Sequence, residues 1–409
     1  MKKVRSYFLF LLMLTLYVVW SSYVLYTGSQ GRDKLSTEQT LVYKSPRRVE
    51  KRHIAFVKVH KAASTTVQNI FLRFAMQRDL LVVMPYVPKF FYPNIISIHS
   101  TVTSRNILPA PRNRSYDILC CHVIYNRTAF ELIMPRDTVY IGIVRDPFEH
   151  FKSVLNYFRP KQVFEIDDPF PVSRFLENPK FYNNGTSLSF LDNRMAVEYN
   201  FPSHVFQTRN KTEIQQYILK LDTEFELVIV VELFDESIIL MRRLLNWKIK
   251  DVLYMKQNVK RKGRGEFFFN PGDAYRHKVW DEIDYALYDH FYKKIQAQLR
   301  EQGPDIYEEV LYFRRLRRDM EFFCQQNPES DDTFEVVISR WSNAFIVTGK
   351  DCHYMTIPEI SYIKELRLKQ YGYFRDFPPG KGLGTALHPN VIKFLNSYTS
   401  TKQDELATN

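Results

Sequence analysis

The sequence predicts an α/β fold: a parallel sheet flanked by helices, with a helical C-terminal part and one N-terminal transmembrane helix. Three observations predict it. Apolar runs of strand length alternate with helical segments between residues 54 and 246, the pattern turns helical after about residue 270, and residues 6–31 carry no charge. Strands that alternate with helices imply a parallel sheet covered on both faces. At 409 residues, 45% hydrophobic and 15% aromatic, the chain has ample material for a sizeable core.

The first strand is "IAFVKV" (54–59), and a helix follows from about Thr65 to Met76. "YDILCCHV" (116–123) is the second strand and "TVYIGIV" (138–144) the third, which runs into a helix in "PFEHFKSVLNYF" (147–158). "ELVIVVEL" (226–233) is the fourth, leading to the amphipathic "FDESIILMRRLLN", where Asp235 is placed to cap a helix. Residues 274–303 and 307–326 have the apolar spacing of two long helices packed on the sheet. There is no internal repeat and no low-complexity block.

The apolar stretch Tyr7–Tyr26 matches the ~20 residues a bilayer-spanning helix needs. A cleaved signal peptide is the alternative, but its apolar region should be only ~7–15 residues before a small-residue site. Lys2, Lys3 and Arg5 precede the span, while Arg32 and Asp33 nearly cancel after it. The positive-inside rule therefore puts residues 1–6 in the cytosol and the rest of the chain across the membrane. Residues 27–52 read as a polar stem, 53–400 as the lumenal domain and 401–409 as a frayed tail.

Sequons at Asn113, Asn126, Asn184 and Asn210 agree with a lumenal domain. Of the four cysteines, Cys324 and Cys352 are the preferred bridge, and the adjacent Cys120 and Cys121 read as buried thiols. Net charge +12 suits anionic ligands or a membrane surface. Nucleic acid is excluded by topology if the anchor is real.

"VKVHKAASTT" (57–66) leaves a strand and opens a helix, the geometry in which backbone N–H groups and the helix dipole converge on one anion. Lys58 and Lys61 bring positive charge, Ser64, Thr65 and Thr66 bring hydroxyls and an N-cap, and Ala62 and Ala63 complete the candidate cofactor-binding loop. Without the glycines and trailing lysine of G-x-x-x-x-G-K-[ST], it is not a nucleoside triphosphate loop. A second motif, "IVRDPFEHFKS" (143–153), puts Arg145 at another strand exit and Ser153 on the next helix. Two anion sites at two strand ends call for a ligand with two separate phosphate groups.

Together "KVHKAASTT" and "RDPFEHFKS" resemble the 5′-phosphosulfate loop and 3′-phosphate motif of sulfotransferases that use 3′-phosphoadenosine 5′-phosphosulfate. More narrowly, "FVKVHKAASTTVQNI", "CHVIYN", "VVELFDESIILMRRLL" and "DVLYMKQN" resemble the galactose-3-O-sulfotransferase family. The resemblance implies a P-loop-like sulfotransferase fold, that donor as co-substrate, and a galactose-terminated glycolipid or glycan as acceptor. It also implies a type II Golgi membrane protein. A glycosaminoglycan sulfotransferase and a non-catalytic, membrane-tethered glycan-binding homologue are the alternatives. A homodimer is admitted, though no sequence feature demands one. His60 and Ala63 stand where cytosolic sulfotransferases usually have proline and glycine, which favours a glycan over a phenol or steroid. "KRKGRGEFF" (260–268) resembles their Arg-Lys-Gly phosphate-contacting run.

Sulfuryl transfer builds negative charge on the departing phosphate oxygen, so a positioned cation lowers the barrier; Lys61 is the candidate. The acceptor hydroxyl needs a base near neutrality, which suits histidine. His122 is the first candidate because "CHVIYN" also resembles the base-bearing segment proposed for uronosyl 2-O-sulfotransferases; His60, beside Lys61, is the second. With scattered histidines, no C-x-x-C, no H-E-x-x-H and no Asp-x-Asp, metal-independent activity is expected.

Overall fold

The computed structural model describes residues 49–86, 93–111, 114–183, 189–255 and 267–371. By contact the chain divides into a large unit, residues 48–336 and 345–409, and a small one, residues 1–47 and 337–344. Everything below concerns the large unit. The expected anchor, cytosolic tail and most of the stem lie outside the described residues, as do Asn113, Asn184, most of 260–268 and the C-terminal tail. No helix among the described residues is long and apolar enough to cross a membrane.

Four parallel strands form the central sheet in the order β2-β1-β3-β4: β1 Ile54–Phe56, β2 Ile118–Leu119, β3 Val139–Val144 and β4 Leu227–Val230. All are fully buried. That is what continuous apolar runs without alternation require, since helices cover both faces. "YDILCCHV" contributes only two residues of ladder; beyond them the chain keeps to isolated bridges such as Ile95 with His122. β1 and β3 are neighbours in register, Ile54 opposite Val139 and Phe56 opposite Ile141, and Val57 N–H donates to Ile141 C=O at 2.9 Å. Their C-terminal ends, and the two motifs that leave them, therefore sit side by side.

The helices that matter are α1 (Ser64–Arg78), α2 (Pro147–Phe158), α3 (Arg194–Glu198), α4 (Lys211–Glu224), α5 (Phe234–Leu245), α6 (Asp273–Trp280), α7 (Glu282–Glu301), α8 (Asp305–Gln325) and α9 (Glu359–Tyr371). The segment read as one helix over 274–303 is two, because the chain breaks at Asp281. Asp235 does not cap α5: the cap position is Leu233, and Asp235 instead accepts from Tyr254 Oη at 2.6 Å and Arg314 Nε at 3.0 Å. An antiparallel hairpin, β5 (Thr333–Val336) with β6 (Phe345–Thr348), was not foreseen. Cys324 and Cys352 are bonded, tying the end of α8 to the helix Gly349–Thr356 just ahead of α9. Cys120 and Cys121 are buried free thiols.

Gly142 in β3 has a packing reason. A Cβ there would stand 2.1 Å from Tyr199 Oη, and Tyr199 is fully buried with its hydroxyl donating to Ile143 C=O. Gly142→Ala is expected to destabilise the domain by about 1–3 kcal/mol, the usual cost of overpacking. Urea unfolding measures it, and an unchanged midpoint would show that the ring gives way freely.

Candidate active site

The loop after β1 has an unusual backbone. Lys61 and Ala63 are left-handed, with φ of 58° and 55°, a conformation that costs a non-glycine residue roughly 1–2 kcal/mol. The glycine-free loop thus adopts the shape that glycines normally provide. Ala63, not a hydroxyl residue, occupies the N-cap of α1 and makes no side-chain cap bond. Ser64 turns back to donate to Val59 C=O at 2.5 Å, so the expected hydroxyl cap is not formed. The N–H groups of Lys61 through Thr65 donate to nothing among the described residues. Successive free N–H groups around left-handed residues, at the start of a 15-residue helix, make an anion nest.

Arg145, one residue past β3, donates through Nη1 to Lys61 C=O at 2.9 Å. Its Nε is buried and unpartnered. Burial lowers the guanidinium's pKa, against the pull of Glu232, Glu149 and Asp146. An unsatisfied buried donor is costly unless something supplies an acceptor. Asp146 N-caps α2 by accepting from Glu149 N–H, and Ser153 lies half-buried along α2 with no side-chain hydrogen bond among the described residues. Lys61 Nζ lies 3.6 Å from the centre of the Tyr157 ring. Burial first, then the charges of Arg145 and Lys58, bring Lys61 down to about 8.

Lys58 points the other way, into the interior, where it is 2% exposed. Its Nζ contacts His122 Nε2 at 2.9 Å and Glu359 Oε1 at 2.7 Å. Glu359, the first residue of α9, also accepts from Thr65 Oγ1 at 3.0 Å and Asn94 Nδ2 at 2.6 Å. The charge expected of Lys58 toward a ligand is therefore already balanced by a carboxylate, and Thr65 spends its hydroxyl on the same group.

The two candidate bases are stacked, ring centres 3.6 Å apart and planes 15° from parallel. His122 is buried with both nitrogens used: Nδ1–H donates to Lys58 C=O at 2.8 Å, and Nε2 accepts from Lys58 Nζ. Burial, then the neighbouring His60 and Lys58, hold its pKa well below the usual histidine range. His60 is differently placed. Its backbone N–H donates to Glu198 Oε2 at 2.8 Å and its Nδ1–H to Glu198 Oε1, while its Nε2 makes no hydrogen bond among the described residues. Arg194 donates to the same Glu198 oxygen through Nε at 3.0 Å and Nη2 at 2.8 Å. Burial would raise the Glu198 carboxyl, but His60 and Arg194 outweigh it and hold it at about 2. His150 Nε2–H donates to His60 C=O at 2.8 Å, so it braces the loop.

His60, His122 and Glu198 bring three potential metal donors within 4.8 Å of one another. Two stacked rings do not direct their lone pairs to one point, and an ammonium already sits on His122 Nε2. The trio has the character of an acid–base cluster.

The galactose-3-O-sulfotransferase family model matches residues 2–336. The chain belongs to that family. It is 32% identical to mouse galactose-3-O-sulfotransferase 3 over 253 residues, 60% of this chain and 57% of the relative. Human galactose-3-O-sulfotransferase 2 is 30% identical over 282 residues, 67% of this chain and 68% of the relative. Human galactosylceramide sulfotransferase is 27% identical over 361 residues, covering 80% and 82%. The chain thus spans under three fifths of the length of the first of these relatives. Sequence reasoning missed Glu198, its partner Arg194 and Glu359; Glu359 lies beyond the stretch the family model matches.

Proposed function

We propose that the protein transfers a sulfuryl group from 3′-phosphoadenosine 5′-phosphosulfate to a galactose hydroxyl, at the 3-position by the names of its relatives. One observation carries the reading: the nest of free N–H groups and the unpartnered Arg145 Nε stand at the ends of adjacent strands. That pairing fits a donor with two anionic groups. Lys61 would stabilise charge on the departing phosphate oxygen. A histidine of the stacked pair would take the acceptor proton as the new O–S bond forms and the old S–O bond breaks. His60 is favoured because its Nε2 is open, whereas His122 has no free nitrogen. Arg145 and Ser153 would hold the 3′-phosphate, and Ala62 to Thr66 the phosphosulfate.

Rings flank these groups: Tyr157 under Lys61, Phe190 edge-on to His60 at 5.1 Å, and Phe158 stacked on Phe190 at 4.5 Å. Aromatic walls with a few polar groups suit the apolar face of a sugar. The proposal includes a metal-independent reaction and a type II Golgi placement through residues 7–26. Of the two sequons within the described residues, Asn210 is exposed and Asn126 half-buried, each an N-cap.

The test is a panel of galactosides, galactosylceramide and glycosaminoglycans incubated with labelled donor, with linkage analysis of the product. Sulfate on galactose O3 is expected. No transfer by a protein that still binds 3′-phosphoadenosine 5′-phosphate would leave a glycan-binding homologue, and no nucleotide binding by a folded sample would remove the donor assignment.

A further inference from the structure

We propose that Glu198, with Arg194 as its counter-charge, is a positioning residue that makes His60 the base by holding its imidazole in the tautomer with Nε2 unprotonated. The proposal rests on the reading above and adds to it a residue that no motif marks.

The carboxylate grips His60 twice, through the backbone N–H and through Nδ1–H. A carboxylate can only accept, so Nδ1 must carry the proton and the neutral ring keeps its lone pair on Nε2. Rotation is opposed on one side by the His122 ring and on another by the edge of Phe190. Glu198 is itself held. It rides on α3, whose first turn is pinned where Asp284 accepts from Met195 N–H at 3.0 Å and Ala196 N–H at 2.7 Å. Reciprocally, Asn193 Oδ1 accepts from Ile283 and Asp284 N–H at the start of α7.

The charges are balanced for the task. Glu198 is 3% and Arg194 1% exposed at the side chain, and a buried carboxylate without its guanidinium would be untenable. The groups acting on His60 are Glu198 and Arg194 from α3, Lys58 from the strand end, the stacked His122, and His150 through the loop carbonyl. Of the charged ones, only Glu198 favours the imidazolium. During transfer the acceptor proton goes to His60 Nε2, the acceptor oxygen bonds to sulfur, and the bond from sulfur to the nucleotide phosphate oxygen breaks. Glu198 takes no proton; it faces the transient imidazolium, which loses its proton to water as products leave.

The experiment compares full-length parental protein with Glu198→Gln, Glu198→Asp and the charge-neutral double variant Arg194→Gln with Glu198→Gln. Benzyl β-galactoside serves as acceptor and 3′-phosphoadenosine 5′-phosphate as binding probe. Glu198→Gln can present its amide N–H₂ to Nδ1 and so favour the wrong tautomer. It is expected to lose ~10²–10⁴-fold in kcat, the range of a general base, with nucleotide affinity within about threefold of parental by the same reasoning. Loss of the carboxylate also removes what favours the imidazolium, so the acid limb of kcat/KM moves to lower pH. Glu198→Asp keeps that limb in place and recovers part of kcat. If Glu198→Gln does not fold, the double variant, which buries no unpaired charge, shows the same loss and limb shift. A nucleotide-binding variant without the carboxylate that keeps parental kcat, or an unmoved limb, overturns the proposal. An active His60→Ala would overturn the underlying reading instead; an inactive His60→Ala beside an active Glu198→Gln would overturn Glu198 alone.

Discussion

Lys61→Ala is expected to lower kcat by ~10²–10³-fold, the usual cost of removing one donor aimed at developing charge. Binding of 3′-phosphoadenosine 5′-phosphate should weaken far less, because the nest of N–H groups and Arg145 remain. Turnover with labelled donor and calorimetric titration of the same samples separate the two effects, and near-parental turnover would take Lys61 out of the mechanism. The same lysine sets a pH limit. It is held at about 8 in the free protein, so its charge is present below that value and lost as pH rises through it. The alkaline limb of kcat/KM should fall near there. A bound polyanion favours the ammonium, so the limb of kcat, which reports the bound state, should lie at higher pH.

His60→Ala should cost ~10²–10⁴-fold in kcat, and His122→Ala much less in turnover but more in stability. The second half follows from burial. His122 accepts from Lys58 Nζ inside the core, and removing it leaves that ammonium short of a partner, a loss of about 1–3 kcal/mol. Single-turnover rates together with urea midpoints test both halves. If His122→Ala is the slower enzyme at equal stability, the two rings exchange roles.

Much of this site could be read in the sequence because its parts are local. β1, β3 and β4 announced themselves as apolar runs, and Lys61 and Arg145 as the residues that follow such runs. What could not be read is anything set by adjacency between distant segments. That β1 and β3 are neighbours, which brings the two motifs together, is a matter of strand order. Glu198 sits in "DNRMAVEYN", a five-residue helix too short to show a period. "YDILCCHV" misled because its apolar residues are buried by bridges and packing as well as by ladder pairing. The hydroxyls of Ser64 to Thr66 looked like a cap because propensity places such residues at helix starts, whereas here two left-handed residues turn the chain.

The contact between Lys58 and Glu359 closes a span of 301 residues. A ribosome delivers the loop after β1 among the first elements of the domain and the carboxylate among the last. Until α9 arrives, Lys58 has no carboxylate partner and Thr65 holds no side-chain acceptor, so the loop after β1 gains its last side-chain contacts at the end of synthesis. A nascent or C-terminally shortened chain therefore carries every sequence motif singled out above and still lacks the carboxylate that Lys58 and Thr65 share.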